Sequence, residues 1–142
     1  MLSHKAAAWS VSLLAVCAWA CTCVSEAQAA DNYALVIDAP RDAKVGQASQ
    51  AVLRVTPKGK YKMNTRYPTA LVLTPPAGVD LPKTKLKGED VKISEQEARI
   101  EVRFTATDAG PKVFAGELKF SVCTAQACDI KKEKVSWTTT AK

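Results

Sequence analysis

Histidine is nearly missing from this chain. One occurs among the 142 residues, and it is His4. Without another, a Ser-His or Cys-His nucleophile pair cannot be built in the body of the protein. A thiolate-imidazole zinc site lacks its nitrogen ligands for the same reason. Methionine is almost as scarce, with Met63 the only one after Met1, so a copper site is thin too. No run of ten or more residues carries a convincing amphipathic helical period. There is no internal repeat and no low-complexity tract. These absences argue against hydrolase, metal and cofactor chemistry alike. They leave cysteine as the one reactive residue type. Three of the five cysteines (Cys17, Cys21, Cys23) fall near the start, so Cys123 and Cys128 stand alone in the rest of the chain.

The start reads as a leader. A short positive stretch, "MLSHK", precedes the apolar run "AAAWSVSLLAVCAWACTCV" and the small-residue site Ala27-Gln28-Ala29. That order is expected of a signal peptide over residues 1–29, cleaved between Ala29 and Ala30, with a periplasmic or secreted domain over 30–142. The apolar run is long enough to rival this as a membrane anchor, but the cleavage site argues for removal. "LAVC" and "AWAC" are poor lipidation sequences, so a lipid anchor is not expected either. Lys5 and Glu26 are the only Lys, Arg, Asp or Glu of the leader, leaving 19 basic against 13 acidic residues beyond it. Export argues against nucleic acid as the partner of that charge. Its even spread suits a solvated surface.

The remainder has strand periodicity throughout. Ala98, Ile100, Val102 and Phe104 alternate with Arg99, Glu101, Arg103 and Thr105, a period of two with one face buried. Further strands are expected over 33–38, 50–56, 69–74, 90–94, 112–123 and 132–140. Between them lie segments rich in Pro, Gly and Asp, such as "TPPAGVDLPK" and "TDAGPK". About seven to eight short strands predict an all-β fold, an immunoglobulin-like antiparallel β-sandwich. Trp137 reads as a core residue.

If Cys123 faces Cys128 across the final hairpin, Gly116 faces Val135 and Phe114 faces Trp137. Small-with-branched and aromatic-with-aromatic are sensible cross-strand pairs. Leu118, Phe120 and Val122 then point inward, and Cys123 points outward with Ser121 and Lys119. The two sulfurs come within bridging reach at the hairpin tip. One feature resists: Lys131 and Glu133 take the inward parity. Either a bulge shifts the strand or the sandwich is open at this end. The residues alone leave two readings of the pair. It is a hairpin staple in an exported domain, or an exposed, reducible bridge used in thiol–disulfide exchange. The basic stretch before it, Lys58, Lys60, Tyr61, Lys62, Arg66 and Tyr67, is a candidate partner contact. Its tyrosines have a competing use at the core edge.

The stretches "KGKYKMNTRYPTALVLTPPAGVDLP" and "LKFSVCTAQACDI" resemble, in order and layout, the N-terminal periplasmic domain of the thiol:disulfide interchange protein DsbD. That resemblance implies an immunoglobulin-like fold with Cys123 and Cys128 as redox cysteines. It also implies a partner that is a thioredoxin-like protein or a membrane electron carrier. The chain departs from the pattern in its C-x4-C spacing, in lacking a Gly before Cys123, and in having "DIKK" after Cys128.

Overall fold

A computed structural model describes residues 28–29 and 32–142. The expected leader lies outside the described residues apart from its last two. Seven strands match the expected runs: β2 (Tyr33–Asp38), β4 (Ala48–Pro57), β6 (Ala70–Thr74), β9 (Val91–Ile93), β10 (Ala98–Ala106), β11 (Gly110–Cys123) and β12 (Cys128–Ala141). Five shorter ones have no counterpart in the sequence pattern: β1 (Gln28–Ala29), β3 (Asp42–Ala43), β5 (Lys62–Met63), β7 (Val79–Asp80) and β8 (Lys85–Lys87). A single 3₁₀ turn, Gly88–Asp90, is the only helical element among the described residues, and no helix there is long and apolar enough to cross a membrane.

The strands form two six-stranded sheets packed as an immunoglobulin-like β-sandwich. The first runs β1-β2-β4-β10-β7, with β9 sharing the β10 edge. The second runs β3-β12-β11-β6-β8, with β5 sharing the β11 edge. Pairing is antiparallel except where β3 lies parallel to the end of β12. This joint departs from the wholly antiparallel pattern expected of the sequence. A two-residue strand can pair either way because it has no hairpin partner to fix its direction.

The alternating residues of β10 and β4 explain the core. Ile100 lies beside Leu53, Val102 beside Ala51 and Ala98 beside Val55, so large and small side chains fit across the pair. All six are buried. Phe104 crosses the gap between sheets to Phe114, ring centres 4.7 Å apart. Phe114 in turn stacks on Trp137 at 4.8 Å. Gly116 allows β6 to approach β11, because a Cβ there would meet the Val72 carbonyl oxygen at 2.4 Å.

Candidate functional site: the tip of the final hairpin

β11 and β12 pair without interruption from Gly110↔Ala141 to Cys123↔Cys128. Gly116 faces Val135 and Phe114 faces Trp137, the register expected if Cys123 faces Cys128. No bulge shifts the face. The inward parity of Lys131 and Glu133 is instead met by an open, polar end of the sandwich.

The tip closes through Thr124-Ala125-Gln126-Ala127. The Thr124 N–H donates to the Ala127 carbonyl at 2.8 Å. The Thr124 hydroxyl oxygen accepts from the Gln126 and Ala127 N–H groups, each at 3.3 Å. A threonine that bonds its own turn in this way fixes the loop locally. The Cα atoms of Cys123 and Cys128 are thereby held 4.0 Å apart, and the sulfurs are bonded. Cys128 is exposed and Cys123 half-buried, so one flank of the bridge faces solvent. Ser121 shares the outward parity of Cys123 but is only 1% exposed, which corrects the expectation of a wet neighbour. Its hydroxyl has no hydrogen-bond partner among the described residues.

The expected basic stretch and the cysteines, far apart in sequence, meet here. β5 lies along the end of β11 with Lys62 opposite Cys123 and Met63 opposite Val122. Asn64 N–H donates to the Ser121 carbonyl at 2.9 Å, and Met63 N–H to the Glu95 carbonyl at 2.8 Å. Lys62 Nζ pairs with Glu95 at 2.7 Å. Lys60, Lys62 and Arg66 are exposed; Lys58, Tyr61 and Tyr67 are half-buried. Tyr61 packs against the core, and Tyr67 lines a separate cleft with Lys87 and Val91. Of the six candidate contact residues, then, Lys62 is the one the strand pairing sets directly beside the bridge.

Beneath the tip, the inward polar residues of β12 bond to the start of β2. Asn32 donates to Asp129 Oδ2 at 2.9 Å. The Tyr33 hydroxyl donates to Glu133 Oε1, while its ring meets Phe120 edge-on at 4.9 Å. Burial, and then the bond to the Glu133 carboxylate, push the Tyr33 hydroxyl well above the usual tyrosine range. Lys131 lies 4.0 Å from Asp129. Sequence reasoning missed Asn32 and Tyr33 as partners. The signal that could have found them was the polar parity of Lys131 and Glu133, which demanded polar company on the facing sheet.

What this arrangement can do is limited and definite. It presents a short-loop disulfide whose turn holds its own shape and whose charged neighbours are of both signs, Lys62 with Glu95 and Lys131 with Asp129. No family model and no curated protein matches the chain. Among solved structures it is similar to a cohesin module of a Clostridium perfringens family 33 glycoside hydrolase, at 14% identity over 78% of this chain and 95% of that one, TM-score 0.46. It is also similar to AggA, a fimbrial subunit of Escherichia coli, at 10% identity over 80% and 98%, TM-score 0.43. A third likeness is to a PapD-like domain of human CEP192, at 8% identity over 99% and 96%, TM-score 0.35.

Proposed function

We propose that this chain is an exported thiol–disulfide exchange domain that uses Cys123 and Cys128, in the manner of the N-terminal domain of DsbD. The observation that supports it most is the exposed bridge on a turn closed by Thr124 hydrogen bonds, where the fold has little need of a staple. A thiolate of a dithiol partner protein attacks one sulfur, forming a mixed disulfide and releasing the other cysteine as thiolate, which takes up a proton. The partner's second thiolate then attacks its own sulfur in that bond, and the remaining cysteine leaves and is protonated. Net, the domain gains two electrons and two protons, and the partner becomes a disulfide. Lys131 and Lys132 ease negative charge on the leaving sulfur while Asp129 opposes it, and Lys62, paired with Glu95, adds positive charge beside Cys123.

The test is trapping. Cys123→Ser and Cys128→Ser variants, preloaded as mixed disulfides with a small thiol, are mixed with a reduced thioredoxin-like protein. One variant transferring its thiol much faster than unfolded chain supports exchange. Equal, slow transfer from both leaves the pair as a staple in a non-catalytic sandwich.

A further inference from the structure

The long hairpin has an edge that no strand among the described residues covers over most of its length. β3 pairs with β12 only at Thr140 and Ala141. From Cys128 to Thr138 no strand among the described residues lies on the side of β12 away from β11. The Cα separation of 4.0 Å at Cys123↔Cys128 marks a pair that exchanges no backbone hydrogen bonds. Alternation then makes Cys128, Ile130, Lys132, Lys134, Ser136 and Thr138 the residues whose N–H and C=O point off the sheet. Thr140, next in that series, does donate outward, to the Arg41 carbonyl at 2.7 Å. The edge is therefore a template whose outward backbone groups pair with no strand among the described residues.

Its charge selects what can add to it. Lys119 and Lys132 stand directly opposite each other, a like-charge pair. Lys119 has Glu117 at 3.5 Å. Neither Lys132 nor Lys134 has an ion-pair partner among the described residues. A second copy is a poor fit: the antiparallel register that uses the whole edge sets Lys132 of one chain against Lys134 of the other. We infer that this edge receives an extended segment of another protein, with acidic residues at alternate positions, added as a further strand. The acidic side chains then lie beside Lys132 and Lys134 and relieve the repulsion with Lys119. This holds whether or not the disulfide is exchanged.

The probe is a capped peptide, TEVEVEVT, with TKVKVKVT as its control. Each is added to the isotope-labelled full-length chain, and amide exchange is followed residue by residue. The acidic peptide is expected to slow exchange at Ile130, Lys132, Lys134 and Ser136, leaving the already bonded Lys131, Glu133 and Val135 unchanged. The basic peptide should bind at least about tenfold more weakly at low salt, and the K132E/K134E double variant should reverse that order. The variant's own spectrum reports that it is folded. The inference is overturned if neither peptide protects those amides or if both do equally. It is equally overturned if they are already protected without peptide, by the chain itself or by a second copy as concentration rises.

Discussion

The two halves of the β11–β12 hairpin share one uninterrupted register and little else. Toward the open ends of the strands, Phe114 and Trp137 stack on each other and reach Phe104 on the facing sheet. Toward the tip, the inward positions of β12 are Asp129, Lys131 and Glu133, and they are satisfied by Asn32, Tyr33 and each other. In the first half both strands supply apolar burial; in the tip half β11 still does, through Phe120 and Val122, while the facing positions of β12 are held by polar bonds. The disulfide therefore sits where one strand of the pair, not both, contributes apolar burial.

That contrast can be broken at either end. The largest loss should come from the apolar half. Phe114→Ala is expected to cost about 3–5 kcal/mol, read by denaturant unfolding, through lost burial and the cavity left against Phe104 and Trp137. Gly116→Ala should cost about 1–3 kcal/mol, because the new methyl group meets the Val72 backbone and cannot be turned aside. Cutting the tip should cost less. The Cys123→Ser/Cys128→Ser pair, or reduction, is expected to lower stability by about 2 kcal/mol, since a bridge across so short a loop restrains the unfolded chain little. The circular dichroism of the fold should survive. A loss as large as that of Phe114→Ala would erase the distinction between the halves.

Tyr33→Phe sharpens the comparison from the polar side. It should cost about 1 kcal/mol near neutral pH through the lost bond to Glu133. It should also change the alkaline profile. The Tyr33 hydroxyl holds its proton more tightly folded than unfolded. Its stabilisation is therefore whole below the ordinary tyrosine pKa of about 10 and is lost as pH rises beyond it. The wild type should weaken through that range more steeply than Tyr33→Phe. The smallest effect belongs to the surface charge. Lys62→Glu should leave stability nearly unchanged, because an exposed ion pair contributes at most about 1 kcal/mol. It should nevertheless slow reduction of the bridge by mercaptoethanesulfonate relative to cysteamine, severalfold at low salt.

Much of this fold is legible in the sequence because parity carries it. Ala98 to Phe104 and Phe114 to Val122 can sit only one way on a two-faced sheet, and setting Cys123 opposite Cys128 then brings Phe114 to Trp137 and Gly116 to Val135, as observed. The short strands are not legible. Lys62–Met63 or Val79–Asp80 gains its pairing from a long neighbour's edge, and two residues show no period. The burial of Ser121 escaped for a related reason. Parity reports which face of a sheet a residue takes, but not whether that face is covered at that position. The basic stretch was visible as composition. Its place beside Cys123 depended on β5, which was not.

The reduction potential of the Cys123–Cys128 pair, obtained by equilibrating the protein with glutathione buffers and counting free thiols, bears most directly on whether the tip is reactive or merely tied. A value between about −120 and −270 mV, among the exchange proteins, is expected. A value below about −300 mV would mark a structural bond and contradict the exchange proposal.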